Sequence, residues 1–148
     1  MEFFYKIDPK PEELMGKVKK QVLRARRAGM INAVTGIEAR AVKNAPVRTS
    51  NLANARTTEV SEDGLKGVIR FGAPYAEYVH EGTGLYGPHK TKIIPKSKKA
   101  LYWPGEAHPW KNVRGMKGRP FLTDAAAEID VAKLYGQGME NFLSGGAQ

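Results

Sequence analysis

One helical run caught between prolines sets the architecture. Residues 11–43 read as a helix: Asp8-Pro9 and Pro11 mark its start, Glu12 and Glu13 suit the positive end of its dipole, and Pro46 stops it. Its apolar residues do not form one stripe. Leu14, Val18, Val22 and Ala25 share one side. Leu23, Met30, Val34, Ile37 and Ala41 share another, rotated by about a third of a turn at ~100° per residue. The change falls near Gly29 and predicts either a bend there or two halves packing on different surfaces. Lys17, Lys20, Arg24 and Arg27 line one edge of the first half, as a solvated face or as a docking surface on another subunit.

The remaining elements are short. A hairpin is expected over 57–61 and 65–72, with Asp63-Gly64 as the turn and Val68, Ile69 and Phe71 supplying strand character. A short helix follows, with Tyr75, Tyr78 and Val79 at i, i+3, i+4 on a face pinned to the core, Pro74 before it and Gly82 at its stop. Residues 84–99 read as a long, mobile polar loop and 100–103 as a strand ended by Pro104-Gly105. A second loop spans 104–119. A last helix runs from near Pro120 to about Tyr135, with Leu122, Ala125, Ala126, Ile129 and Ala132 inward, weakened by Gly136 and Gly138 before a fraying tail over 144–148. This order predicts an α+β fold. A small antiparallel sheet is packed by the long N-terminal helix and a C-terminal helix, with long basic loops, in one domain of 148 residues.

Composition narrows the function classes. The chain has no cysteine, hence no disulfide, thiolate metal site or cysteine nucleophile. No apolar run approaches the ~20 residues of a membrane span, and the start lacks the features of a signal peptide. The chain is therefore expected to stay in the cytosol of the cell that makes it, away from membranes. Charge is uneven: residues 85–120 carry a net +8 of the chain's +9, whereas residues 121–148 carry −3. The basic segment is expected to meet nucleic acid, an acidic patch on a partner, or water.

Motifs that suggest catalysis fall short on spacing. His80-Glu81 opens like a zinc-protease helix, but position 84, where the second histidine belongs, is glycine. Gly82-Thr83-Gly84-Leu85-Tyr86-Gly87 matches G-x-G-x-x-G without the preceding strand and following helix that a pyrophosphate site needs, and reads as a hinge. No serine sits in a nucleophile elbow. The expectation is a protein without catalytic residues, metal or cofactor. Tyr102 and Trp103 are expected to anchor their strand to the core. Lys90, Lys92, Lys96, Lys98 and Lys99, with Arg114 and Lys117, are candidates for contact with DNA or an acidic partner.

Three ordered segments resemble the tail-completion, or head–tail joining, family of long-tailed double-stranded DNA phages, the group like gene product ten of phage Hong Kong ninety-seven. Ala45-Pro46-Val47-Arg48-Thr49-Ser50-Asn51-Leu52 is similar to A-P-V-D-T-G-x-L. Tyr75-Ala76-x-x-Val79-His80-Glu81-Gly82-Thr83 is similar to Y-A-x-x-V-E-x-G-T, and Arg119-Pro120-Phe121-Leu122-x-x-Ala125 opens the last helix. Arg48 stands where the pattern is acidic, Ser50 where it has glycine, and His80 in the slot of its glutamate. The resemblance spans about residues 12–135. It implies a structural virion protein of the neck, assembled in the host cytoplasm as a homo-oligomeric ring between the head connector and the tail tube or terminator. Pro46, Leu52, Tyr75, Tyr78, Val79, Gly82, Thr83, Pro120, Phe121 and Leu122 would be its motif anchors, and some lysines would face genomic DNA in the channel. A tail terminator of the same assembly and a small sequence-independent DNA-binding protein are the alternative readings.

Overall fold

The computed structural model describes residues 11–46, 51–105 and 107–145. Helix α1 (Pro11–Asn44) is followed by a one-turn helix α2 (Asn51–Asn54), strands β1 (Arg56–Val60) and β2 (Gly67–Phe71), a short helix α3 (Ala76–Glu81), and helices α4 (Phe121–Glu128) and α5 (Val131–Gly145). The two strands form one sheet. The fold is α+β, with a long N-terminal helix, a small antiparallel sheet and C-terminal helices. Among the described residues, no helix is long and apolar enough to cross a membrane.

The chain divides into two compact units. One comprises the chain up to Ile37, Thr58–Ile69 and the stretch from Ile129 onward; the other comprises Glu38–Thr57 and Arg70–Glu128.

The first unit closes on small residues. Gly138 of α5 meets α1 so closely that a Cβ there would lie 2.7 Å from Asn32 Cβ and 2.8 Å from both Ala28 O and Gly29 Cα. A Cβ on Gly29 would lie 2.7 Å from Tyr135 O. Asn32 Nδ2 donates to Leu134 O at 2.7 Å, so a polar group seals the same crossing. Ala25 and Ala33 are buried. Gly29 is thus the point of closest helix approach within an unbroken α1. The half of α1 before it leaves its apolar side in solvent: Leu14, Met15, Val18 and Val22 are all exposed, Met15 by 72%.

The hairpin turn is wider than Asp-Gly chemistry alone predicts. Strand β2 begins at Gly67, not at Leu65, which is exposed. Ser61 N–H donates to Lys66 O at 2.9 Å, and Ser61 Oγ bonds Asp63 Oδ1 while accepting the Lys66 N–H. Asp63 Oδ1 also takes the Leu65 N–H at 3.0 Å. The Ser61 hydroxyl first, and then the Leu65 amide, hold the Asp63 carboxyl below its ordinary range. Local side-chain bonds therefore spend six residues where two suffice for a tight hairpin. Gly64 takes φ +68° with its Cα against the α1 backbone, where a Cβ would meet Arg27 N at 2.5 Å.

The second unit closes on rings. Phe121, the first residue of α4, is 3% exposed. It stands edge-on to Phe71 at 5.1 Å between centroids and to His80 at 5.5 Å. Leu52, Ala41, Ala45, Ala73, Ala76 and Ala125 are also buried in this unit. Arg56 pairs with Glu38 and also bonds Ala53 O, and Arg40 pairs with Glu128. The Arg40 guanidinium holds the Glu128 carboxyl below its ordinary range.

The last helix is not continuous to Tyr135. It ends at Glu128, and α5 starts afresh at Val131 under an N-cap: Asp130 Oδ1 accepts the Lys133 N–H at 3.0 Å. Helix α5 then runs through Gly136 and Gly138, because Gly138 is where its backbone meets α1. Ala126 and Ala132, expected inward, are exposed. Ser144 and Gly145 are helical, and the rest of the expected frayed tail lies outside the described residues. So do 47–50 of the first motif segment and the expected helix start at Asp8-Pro9.

Candidate functional site

The basic segment and the glycine-rich segment belong to one feature of the second unit, an irregular antiparallel ribbon. Gly82 ends α3 with φ +89°, its N–H bonded to Tyr78 O, and from there the chain pairs with the segment leading into α4. Bridges join Gly82 to Lys117, Ile93 to Val113 and Leu101 to Trp110. Thr83 fastens the base twice: its N–H donates to Met116 O at 2.8 Å, and its Oγ1 accepts the Met116 N–H at 2.9 Å. At the far end, Leu101 and Trp110 exchange both backbone bonds, at 2.7 and 2.9 Å.

The glycines of the G-x-G-x-x-G match act as close-packing points. A Cβ on Gly82 would lie 2.6 Å from Gly118 N, one on Gly84 2.3 Å from Arg114 O, and one on Gly115 2.1 Å from Thr83 O. A 3-10 turn, Gly84–Tyr86, follows directly. The Thr83 and Leu85 amides donate to Met116 O and Arg114 O of the opposite limb, and those of Gly82, Tyr86 and Gly87 donate to carbonyls of their own limb. The segment read as a hinge is a backbone-to-backbone seam.

The strand expected over 100–103 is absent. Leu101 forms a single bridge, and the residues after it turn outward. Tyr102 is 70% exposed and Trp103 39% exposed, so neither anchors a strand to the core. Trp110, opposite Leu101, is 49% exposed. The sequence gives three large rings here, and nothing in local spacing distinguishes a ring facing a core from one at a ribbon tip.

Lys90, Lys92, Lys96, Lys98, Lys99, Arg114 and Lys117 are all exposed along this ribbon, with Lys111 and Arg119. Lys90 takes φ +49°, uncommon for a side-chain-bearing residue, with its N–H bonded to Gly87 O at 3.2 Å. Lys117 Nζ lies 5.8 Å from the centre of the Tyr86 ring, a cation–π pair at the base. A cavity of ≈440 Å³ opens where the ribbon leaves α3, with Glu77, Glu81, His89, Lys92 and Lys96 in its wall. Two carboxylates and two ammonium groups in the same lining give it no single charge preference.

The motif anchors separate into three groups by burial. Leu52, Gly82 and Phe121 are buried; Pro46, Tyr75, Val79, Thr83 and Leu122 are half-buried. Tyr78 is 59% exposed and Pro120 is exposed. The Tyr75–Tyr78–Val79 face is therefore not the buried one: α3 starts at Ala76, and Ala76 is its buried residue. Arg119 N–H donates to Val79 O at 2.8 Å, tying the third segment to the second. His80 Nε2 lies 3.0 Å from Thr123 Oγ1 while its ring packs on Phe121, so the imidazole links α3 to α4. Among the described residues, no three His, Asp or Glu side chains form a set able to hold a metal ion. Sequence reasoning missed α2, the three bridges and the Gly29–Gly138 crossing. Only the last left a signal, two small residues inside apolar helical stretches. No family model, curated protein or solved structure matches the chain.

Proposed function

We propose that this chain is a structural subunit of the neck of a long-tailed phage, completing the tail or joining it to the head connector as part of a homo-oligomeric ring. The observation that carries the reading is convergence. The three segments that resemble the tail-completion family all contribute to one compact unit. Leu52 of the first is buried there, and Val79 and His80 of the second bond and pack against Arg119 and Phe121 of the third. Residues scattered over more than half the chain thus build one frame, as a shared fold requires.

Two exposed surfaces suit an assembling subunit. Leu14, Met15, Val18 and Val22 give α1 an apolar side in solvent, and the ribbon offers an exposed basic surface. A ring subunit needs two unlike faces, since heterologous contacts close only when different patches meet. The proposed partners are further copies of the chain, the head connector, and the tail tube or its terminator.

Electron microscopy of particles assembled without this protein tests the reading. Separate full heads and finished tails are expected, with joining restored by adding the purified chain. Normally joined, infectious particles in its absence would overturn it.

A further inference from the structure

The two tryptophans of the chain, Trp103 and Trp110, both lie at the far end of the ribbon, beside Tyr102, and all three rings are exposed. Large rings left in water at one end of an arm are unusual, since each gives up a favourable burial. Lys98, Lys99 and Lys111 flank the same end and are exposed. Over residues 85–120 the only acidic residue is Glu106, against nine basic ones. The Lys117–Tyr86 pair at the base is engaged with itself. The tip is where ring faces and cations stand open together.

We propose that this tip binds single-stranded nucleic acid without sequence preference, with Tyr102, Trp103 and Trp110 stacking on bases and the flanking lysines neutralising phosphates. The chemistry favours a single strand. Duplex bases are already stacked and leave the rings unused, whereas unpaired bases offer π-faces to any aromatic side chain. Lysines alone would serve any polyanion; the rings add the preference. The inference stands on the ribbon and is independent of the neck reading. A chain that binds single strands while heads and tails join normally without it would keep this proposal and lose the other.

The full-length chain carries its own probe, because both emitting tryptophans are on the tip. Titration with a short oligothymidylate at low salt should quench tryptophan fluorescence and saturate. By anisotropy of a labelled oligothymidylate, Trp103→Ala and Trp110→Ala should each weaken binding about tenfold, and Trp103→Tyr should retain most of it. Replacing Lys98, Lys99 and Lys111 by Gln should flatten the salt dependence by about 0.7 in log–log slope per lysine in contact. Circular dichroism should be unchanged in every variant, since the altered side chains are exposed. Four results would overturn the proposal: no quenching at low salt, tighter binding to a duplex of equal length, full binding by both alanine variants, or a response to phosphatidylglycerol vesicles with none to oligothymidylate.

Discussion

The two compact units reach a closed interior by opposite means. The first brings two helices together by removing side chains: Gly29, Gly138, Ala25 and Ala33 let backbones meet. The second inserts a ring: Phe121 fills the space between Phe71 and His80. A contact made from absent side chains is vulnerable to addition, and one made from a large side chain is vulnerable to deletion. The same kind of substitution should therefore act differently in the two places.

The largest effect is expected from deletion in the second unit. Phe121→Ala removes a ring that is 3% exposed and should lower stability by about 3–5 kcal/mol, measured by chemical denaturation. Addition in the first unit comes next. Gly138→Ala places a methyl 2.8 Å from backbone atoms that cannot rotate away, and should cost about 1–3 kcal/mol despite the better helix propensity of alanine. Gly136, on the same helix, would have nothing within 4 Å of an added Cβ. Gly136→Ala should therefore stabilise by up to ~1 kcal/mol. If both variants shift the thermal midpoint in the same direction, the backbone-contact account of the first unit is wrong.

A smaller, pH-dependent effect separates the units again. The Arg40 guanidinium lowers the Glu128 pKa in the folded second unit, so ionised Glu128 favours folding. That contribution is complete above the unfolded carboxyl value of about 4.3, and it disappears as pH falls through the lower folded value. Thermal melts of Glu128→Gln between about pH 5 and pH 2 should therefore show a shallower acid decline than the unaltered chain. The smallest effect is expected on the solvent side of α1. Replacing Leu14 and Val18 together by Gln should change monomer stability by no more than about 0.5 kcal/mol per site, because neither is buried. A large loss would show that this side is covered in the folded monomer.

The legibility of these regions in the sequence follows the range of the forces that shape them. Proline and dipole signals placed α1 to within a residue or two at Asn44, and β-branched residues placed β2. Phe121 is marked as an anchor only by the family resemblance, since the helical period puts Leu122 rather than Phe121 inward. Long-range backbone contacts left no local trace. Gly138 reads as a weak point in a helix until its partner Gly29, far away in sequence, is seen against it. The break at Asp130 was hidden because Ile129 and Ala132 continue a helical period, while the Asp130 side chain caps a new start. The ribbon was misread for a similar reason. Leu101-Tyr102-Trp103 has strand composition, yet among the described residues its one bridge joins Leu101 to Trp110, a pairing that no periodicity records.

The pairing of the ribbon also carries a lesson about length. Its three bridges join 82 to 117, 93 to 113 and 101 to 110, so one limb spends far more chain than the other between the same rungs. The longer limb takes up part of its surplus in the 3-10 turn Gly84–Tyr86. Residues gained or lost in the longer limb can be taken up as slack, leaving the tip at the same reach. A deletion in the shorter limb has fewer residues between rungs to absorb it and would shift the rung pairing itself.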